Sequence, residues 1–267
     1  MVSRRTFISG TIGVLGIGRS VLAAEGDLPA VDLHTHLDNS TIQATVERSR
    51  NLGVKFGVVE HAGTKENDYP VVLSNDEELS RYLTMLEPHG VYKGVQAEWI
   101  DWPGCFSKKV LARLDYILTD AMTVRGPGGK RTKMWLPGFD PGEPQKFMDM
   151  YVDWHVEIMA TTPINIMANM MFMPTQLKDQ TDALWTERRM QKVIDAAIKH
   201  QVALEISSSY KSPNMAFLKL AKAAGARFSF GSNGRGDNQG KIQWSVDTAR
   251  QVGLTLADLY VSKGAKV

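Results

Sequence analysis

The chain has 267 residues, of which 43% are hydrophobic and 22% charged, and these values predict one large globular domain with a substantial core. Lysine and arginine total 31 against 29 acidic residues, so the chain lacks the strong positive charge that would favour nucleic acid as a partner. The single cysteine, Cys105, excludes an internal disulfide.

The first two dozen residues predict a cleavable export signal. Arg4 and Arg5 precede an apolar run over 8–17, and small residues follow it at a plausible cleavage site. The paired arginines resemble the twin-arginine type of signal, which exports folded proteins. We therefore expect residues 1–24 to be the signal and residues 25–267 to form the mature domain.

This signal leads to expectations about location and partners. The mature protein is expected to be periplasmic or secreted, with the twin-arginine export machinery as a partner. The apolar run is shorter than the roughly 20 residues that a bilayer requires, so we expect no stable membrane insertion after cleavage. A retained signal anchor is the alternative. Without the signal, 28 basic residues stand against 29 acidic ones, so the mature domain is close to neutral.

Downstream of the signal, short runs rich in β-branched and aromatic residues alternate with longer segments of helical periodicity. Strands are predicted at 31–33, 56–59, 92–97, 116–118, 164–168, 203–206 and 228–230. Helices are predicted at 41–52, 76–86, 108–114, 147–159, 188–200, 215–224 and 242–252. This alternation is typical of repeated strand–helix units around a parallel sheet. The glycine- and proline-rich stretch 123–145 is predicted to be an irregular lid or binding loop.

Two phosphate-binding patterns are missing from the sequence. No G-x-G-x-x-G follows the first strand, and no G-x-x-x-x-G-K-[ST] occurs, which argues against dinucleotide and nucleoside triphosphate binding. An open doubly wound sheet usually carries such a loop. The sequence therefore favours a closed α/β barrel with seven strand–helix units.

Polar side chains follow nearly every predicted strand. In a parallel barrel the carboxyl ends of the strands build the catalytic face, so we expect these side chains to share one site. They are His34 and His36 on the first strand, Glu60 and His61 after the second, Glu98 after the third, Asp120 after the fourth, Asn169 after the fifth, Glu205 on the sixth and Asn233 and Arg235 after the seventh.

A metal site is the main prediction for this face. His34 and His36 are separated by one residue, so both imidazoles point to the same side of a strand. Buried carboxylates and imidazoles crowded at one end of a barrel need a cation to offset their desolvation. With His61 and Glu98 they form a predicted set of four ligands for a divalent metal. Mixed nitrogen and oxygen ligands suit zinc, manganese or iron.

These residues resemble the polymerase and histidinol phosphatase (PHP) superfamily. The similar segments are 32–36 (DLHTH), 59–61 (VEH), 94–98 (GVQAE), 115–118 (DYIL), 204–206 (LEI) and 230–233 (FGSN). The resemblance implies a distorted seven-stranded (β/α)7 TIM-like barrel over most of the mature chain. It also implies a metal cluster, usually trinuclear, and activity on phosphoesters.

The chain departs from the pattern of this superfamily at several positions, and no histidine stands at 39–42, shortly after the opening pair, where one is usual. Met122 and Asn169 stand where histidines are expected after the fourth and fifth strands, and Asn233 and Arg235 replace a closing aspartate and histidine. The four predicted ligands then imply one metal ion, or two ions if Asp120, Glu205 or Asp237 contributes.

The leading functional prediction is an exported metal-dependent hydrolase acting on a small phosphoester or carbohydrate derivative. Asp120 or Glu205 is expected to transfer protons, while Asn169, Asn233 and Arg235 are expected to bind an anionic or hydroxylated substrate, because a guanidinium forms a planar fork that suits carboxylate or phosphate. Two alternatives remain open. One is a non-catalytic or degenerate periplasmic binding protein, and the other is a metal-dependent lyase or isomerase acting on a sugar.

Overall fold

A computed structural model describes residues 28–262. The predicted signal over residues 1–24 lies outside these residues. Within the described part of the chain, none of the helices is both long and apolar enough to span a membrane.

The secondary structure follows the predicted alternation. The strands are β1 (Val31–His36), β2 (Lys55–Val58), β3 (His61–Ala62), β4 (Val72–Leu73), β5 (Tyr92–Ala97), β6 (Tyr116–Thr119), β7 (Thr123–Arg125), β8 (Arg131–Lys133), β9 (Ile166–Met167), β10 (Ala203–Ser207), β11 (Phe228–Gly231) and β12 (Gly234–Arg235). The α-helices are α1 (Ile42–Leu52), α2 (Asp76–Leu86), α3 (Lys108–Leu111), α4 (Pro144–Thr161), α5 (Thr181–Leu184), α6 (Glu187–Lys199), α7 (Met215–Ala223) and α8 (Gln243–Val252). Each of the seven predicted strands and seven predicted helices has a counterpart.

Capping side chains and a left-handed glycine fix where helices α1 and α2 begin and where α1 ends. The Thr41 hydroxyl accepts a hydrogen bond from the backbone of Ala44 at 3.2 Å and caps α1. Asn75 does the same for α2 through the backbone of Glu78, at 2.9 Å. Gly53 ends α1 with φ of 64°, a left-handed conformation that glycine adopts without steric penalty.

The parallel strands form a nearly closed barrel. Neighbouring strands pair in the order β11-β10-β9-β6-β5-β2-β1-β12, and β3 and β4 lie off this path. The predicted count of seven strands is therefore wrong, because eight strands pair along the path. The extra strand arises where a bend at Asn233, with φ of 46°, separates β11 from β12. The two ends of the path, β11 and β12, are consecutive in the chain, and β11 also lies against β1, so the path nearly closes.

The barrel has an inner and an outer core. The outer core lies between the strands and the surrounding helices and contains most of the buried apolar residues. The inner core is a small cluster composed of Leu33, Val59, Tyr116, Leu118, Ile166, Ala168 and Ala203. Tyr116 is fully buried there and donates a hydrogen bond from its hydroxyl to the Leu33 carbonyl at 2.7 Å. The strand ends above this inner core carry the polar residues.

Two glycines make room for the Tyr116 ring. A Cβ added at Gly57 would lie 2.4 Å from the Tyr116 hydroxyl oxygen, and one at Gly94 would lie 2.4 Å from its ring carbon Cζ. Real Cβ atoms do not approach other atoms so closely, and the ring is enclosed on all sides. Glycine at these positions is therefore required by packing.

We expect Gly94→Ala to lower the free energy of unfolding by about 2 kcal/mol, because overpacking a core costs about 1–3 kcal/mol. Denaturant unfolding followed by circular dichroism measures the change. Gly104→Ala is the matched control, since a Cβ there meets no atom within 4 Å. Equal stability of the two variants would contradict the packing argument.

The long stretch predicted to be irregular contains a small hairpin. Strands β7 and β8 pair antiparallel around a turn in which the Gly126 backbone donates to the Lys130 carbonyl at 2.8 Å. Lys133 on this hairpin lies 4.0 Å from the ring centre of Tyr69. The hairpin thus packs against a ring that borders the polar end of the barrel.

Candidate functional site

The structure brings the polar residues predicted from the sequence to one end of the barrel. His34 and His36 lie at the end of β1, His61 on β3 and Glu205 on β10. The others follow the strands β5, β6, β9 and β11 within two residues, and they are Glu98, Asp120, Asn169 and Asn233. Most of these side chains are buried, while Asp120, Asn233 and Arg235 are partly exposed and form the mouth of the site.

A closed ring of hydrogen bonds joins five of the residues at this end. His34 contacts Glu205 through Nδ1 at 2.7 Å and the Gln96 side-chain oxygen through Nε2 at 3.1 Å. The Gln96 amide donates to Asp120 at 3.3 Å. Asn169 donates from its side chain to Asp120 at 2.9 Å and from its backbone to Glu205 at 2.8 Å, which closes the ring.

The ring determines the charge of His34. Both of its nitrogens face oxygen acceptors, so the arrangement favours the imidazolium form, in which both nitrogens donate. Burial lowers the pKa of His34, but the adjacent Glu205 carboxylate and the charge of Asp120 raise it above its ordinary value overall. Held this way, His34 has no lone pair directed at a cation. The structure therefore does not place it as a metal ligand, and its predicted role as one stays a prediction.

Gly231 makes this arrangement sterically possible. A Cβ at that position would lie 1.9 Å from the Glu205 carboxylate oxygen that contacts His34. Any side chain there would displace the carboxylate. Glu205 is 1% exposed and its carboxylate is occupied by His34 and the Asn169 backbone. Its role in proton transfer stays a prediction, and its contacts favour a positioning role.

His36 is the least satisfied polar side chain of the site. It is fully buried, and neither ring nitrogen has a hydrogen-bond partner within the described structure. Burial lowers its pKa well below the ordinary value, and the charges of His34 and Arg235 lower it further. Asn233 lies nearby and opposes this shift without the geometry of a hydrogen bond. A neutral imidazole with two free nitrogens is costly to bury unless a ligand binds it.

His36, Asp38 and His61 form a candidate metal centre. One potential ligand atom from each residue lies within 4.8 Å of those of the other two. The His36 and His61 rings are stacked, with centroids 5.1 Å apart. Two imidazoles and a carboxylate are a ligand set that zinc, manganese and iron all accept. The unpartnered nitrogens of His36 fit such a cation.

Glu98 supports this centre indirectly. Its carboxylate lies 2.7 Å from His61 Nδ1, on the side of the ring opposite Nε2. Metal-binding histidines commonly donate their second ring N–H to a carboxylate, which fixes the ring and its tautomer. Tyr69 stacks on the same ring, with centroids 3.7 Å apart. The contacts thus give Glu98 the position of a group that orients His61.

Arg235 bonds both Asp38 and Asn233 at the mouth of the site. Its Nε donates to Asp38 at 2.7 Å, and its Nη1 donates to the Asn233 side-chain oxygen at 2.9 Å and to the Asn233 carbonyl at 3.2 Å. Asn233 and Arg235, both predicted to bind substrate, are thus neighbours at the entrance. Asp237 is not part of the site, because its side chain is 97% exposed and pairs with Arg48.

Two carboxylic acids near the site have raised pKa values. Burial, together with the charge of Glu98, raises the pKa of Asp120 to about 6. Burial and the charge of Asp38 raise that of Glu60 to about 7. Met122 is buried, and its backbone donates to Asp120 at 2.9 Å, so it stabilises the Asp120 carboxylate without supplying an imidazole.

Sequence reasoning missed two members of the site. Asp38 lies in the loop after β1 and was passed over, although an acid two residues after an H-x-H pair is a detectable signal. Gln96 is buried on β5 and links His34 to Asp120. An amide inside an apolar strand was the available signal for it.

No protein-family model matches the chain, and no curated protein is similar to it in sequence. Among solved structures, an HpcH/HpaI aldolase from Desulfitobacterium hafniense DCB-2 aligns with 15% identity over 85% of this chain and 93% of that chain, with a TM-score of 0.37. A truncated form of 3-deoxy-D-arabino-heptulosonate 7-phosphate synthase from Thermotoga maritima aligns with 11% identity over 87% and 74%, with a TM-score of 0.39. Similarity this low is a distant likeness and transfers no residue role.

The two solved structures are an aldolase and a synthase, and neither is a hydrolase, so they give no support to the leading prediction of a hydrolase, which is not carried further. At TM-scores of 0.37 and 0.39 they decide no reaction for this chain. The choice of reaction for this chain must therefore rest on the chemistry of its own site.

Proposed function

We propose that the chain is a metal-dependent lyase or isomerase that acts on a small hydroxylated carbonyl compound such as a sugar derivative. The observation that carries the proposal is His36, a buried imidazole with two unpartnered nitrogens beside Asp38 and His61. The partly exposed Asp120 carboxylate follows β6 and lies at the same end of the barrel.

The metal would be held by His36, Asp38 and His61. The described residues contain one such cluster, which supports one ion rather than two. A divalent cation there would stabilise negative charge that develops on a substrate oxygen. Glu98 keeps His61 oriented through its hydrogen bond, so the ring is preorganised.

Asp120 is the proposed base. Removing a proton from a carbon next to a carbonyl, or from the hydroxyl whose oxygen becomes a carbonyl in an aldol cleavage, requires a carboxylate that is ionised near neutral pH and still basic. A pKa of about 6 meets both needs. Hydrogen bonds from Gln96, Asn169 and the Met122 backbone hold the carboxylate in place.

The test is proton exchange in deuterated water. The protein, purified without chelator and supplied with Mn²⁺ or Zn²⁺, is incubated with a panel of aldoses, ketoses and hydroxy acids, and ¹H NMR follows exchange next to the carbonyl and the appearance of cleavage products. We expect exchange or cleavage for at least one compound. Asp120→Asn should reduce the rate by at least about 100-fold, the lower bound for loss of a general base.

The exposed Asp195 provides the matched control, since Asp195→Asn changes an acid on the outer surface of α6 and should leave the rate unchanged. Metal binding with no exchange or cleavage across the panel would refute the lyase or isomerase and favour the non-catalytic binding protein. Equal rates for Asp120→Asn and the unaltered protein would refute the assignment of the base.

We expect activity to depend on the ionisation of Asp120. Because its folded-state pKa is raised to about 6, the basic form is present above that pH and lost below it. The value of kcat/KM should therefore fall about tenfold per pH unit below about 6. A pH–rate profile between 4.5 and 8 at saturating metal checks this, with metal content measured at each pH. A flat acid limb would contradict the prediction.

Export and ancestry are also proposals. We propose that the twin-arginine signal delivers the folded protein to the periplasm, and Arg4→Lys with Arg5→Lys should retain it in the cytoplasm, as measured by cell fractionation. Unchanged export of the double variant would contradict the signal type.

A relationship to the PHP superfamily is supported by the common location of His34, His36, His61 and Glu98 at one end of the barrel.

A further inference from the structure

Two acceptor groups lie side by side, Asp120 at the mouth of the site and Asn169 buried behind it. Asn169 is 2% exposed, and its side-chain oxygen has no hydrogen-bond partner within the described structure. Its side-chain nitrogen donates to Asp120, so the amide is fixed with its oxygen free. A buried carbonyl oxygen left without a donor costs free energy, and a ligand hydroxyl removes that cost. Asn169 and Asp120 together therefore suit a hydroxylated ligand.

Arg235 offers a donor in the same neighbourhood, since its charge and that of Asp120 both act on the Tyr210 hydroxyl. Its Nε and Nη1 are engaged by Asp38 and Asn233, and the described residues give its Nη2 no hydrogen-bond partner. Its side chain is 36% exposed, so solvent and ligands can reach the guanidinium. A guanidinium held in place by two anchors is well suited to bind a planar anion such as a carboxylate.

The balance of charge limits how negative the ligand can be. Five acids lie at this end of the barrel, and the basic groups near them are the guanidinium of Arg235, bonded to Asp38, and Lys133, farther out against the Tyr69 ring. The five acids are Asp38, Glu60, Glu98, Asp120 and Glu205. Even with a divalent cation bound, the site carries no excess of positive charge. A monoanion fits such a site, whereas the two charges of a phosphate monoester would face uncompensated repulsion.

An aromatic pair completes the entrance. Phe172 and Tyr210 pack edge to face with centroids 5.2 Å apart, and Tyr210 is 40% exposed. The charges of Asp120 and Arg235 both act on the Tyr210 hydroxyl, which locates this ring beside the same mouth. Aromatic faces pack against the carbon-bound hydrogens of sugars.

From these contacts we infer that the substrate is a polyhydroxylated monocarboxylate, a sugar acid, whose carboxylate is bound by Arg235 and whose hydroxyls are bound by Asn169 and Asp120. The inference rests on the proposed function for the reaction. It differs from the phosphoester predicted from the sequence, because the charges of the site favour one carboxylate over a phosphate.

The experiment compares three probes with one carbon skeleton. Isothermal titration calorimetry measures binding of D-gluconate, D-glucose and D-glucose 6-phosphate to the protein loaded with Mn²⁺, and the metal content is measured before and after each titration. We expect gluconate to bind at least about tenfold more tightly than either of the other probes, because a charge-assisted fork recognises the carboxylate.

Arg235→Gln should weaken gluconate binding by about 100-fold and leave glucose binding unchanged, because only the carboxylate loses its partner. Arg235→Lys keeps the charge without the planar fork and should recover part of the affinity. Asn169→Ala should weaken both gluconate and glucose. Arg113→Gln is the matched control, since Arg113 is a similarly exposed arginine paired with Glu87 at 3.0 Å away from the site.

The outcomes separate this inference from the proposed function. Tighter binding of glucose 6-phosphate, or gluconate binding that is the same in Arg235→Gln, would overturn the sugar acid. Turnover of neutral sugars with no preference for a carboxylate would overturn it while leaving the lyase or isomerase intact. Gluconate binding that depends on Arg235, without exchange or cleavage of any compound, would support the ligand class and refute the reaction. The metal content of Arg235→Gln shows whether this variant has lost its metal. If it has, the comparison is made with Arg235→Lys, which keeps the positive charge beside Asp38.

Discussion

His36→Ala should weaken the binding of Mn²⁺ or Zn²⁺ by more than about 100-fold, which exceeds the roughly 10–100-fold cost of losing a contact that only supports a ligand. The imidazole is fully buried and has no protein partner, so its removal deletes a ligand and disturbs no hydrogen bond of the described structure. Metal affinity is measured by titration against a competing chelator, with folding checked by circular dichroism.

His34 makes this experiment discriminating. The sequence predicts that His34 and His36 are equivalent ligands, whereas the structure places His34 between Glu205 and Gln96. If the structural assignment is correct, His34→Gln should change metal affinity by less than about tenfold, below the range for direct support of a ligand. The loss of metal affinity in Glu98→Gln should lie between those of His34→Gln and His36→Ala, because Glu98 only orients His61.

The helical His89 is the control, since it lies in a short 3-10 helix that precedes β5, at the opposite end of the strand from the site. His89→Ala should bind metal as the unaltered protein does. Normal affinity in His36→Ala would refute the metal centre formed with Asp38 and His61. An equal loss in His34→Gln would restore the ligand set predicted from the sequence.

The fold was predictable where local patterns decide it. Helices α1 and α2 have apolar stripes and capping side chains within their own sequence, so their positions follow from short-range chemistry. The two-residue strands β3, β4 and β12 have no such signal. They exist because a neighbouring strand supplies hydrogen bonds, as Thr35 and His36 do for β12. The additional eighth strand of the barrel path was missed for that reason.

The composition of the site was predictable, but its connectivity was not. Polar residues after consecutive strands of a parallel barrel must meet, and the predicted side chains do lie at one end. Which of them bind each other depends on distances across the barrel. His34 pairs with Glu205, 171 residues later, and an H-x-H pattern contains no information about that partner. The two histidines therefore look alike in sequence and differ in the structure.

Asp32 shows how a residue next to the site determines the stability of the barrel. Its carboxylate is fully buried and accepts hydrogen bonds from the backbones of His34 at 3.1 Å, Ser232 at 3.0 Å and Gly240 at 2.9 Å. The Ser232 hydroxyl donates a fourth. These donors come from β1 and from the segment around β12, so the carboxylate joins β1 to the last part of the strand path.

Asp32→Ala should lower the free energy of unfolding by about 4 kcal/mol, because each buried donor left without a partner costs about 1–3 kcal/mol and four donors lose theirs. Urea denaturation followed by tryptophan fluorescence measures the loss. Asp32→Asn preserves the volume and one acceptor oxygen, so it should recover about half of the loss, since the donors to that oxygen keep their partner. Asp195→Ala, on the exposed face of α6, should change the free energy by less than about 0.5 kcal/mol.

A change below about 1 kcal/mol in Asp32→Ala would mean that water or a shifted backbone satisfies the four donors, and that the carboxylate is dispensable for closing the barrel. Metal affinity distinguishes a carboxylate that is needed to close the barrel from one that is dispensable. His34 and His36 lie two and four residues after Asp32 on β1, and they keep their positions only while β1 remains paired with β12. Metal affinity should therefore fall together with stability in Asp32→Ala, and recover together with it in Asp32→Asn, if closure of the barrel is what holds His36 beside His61.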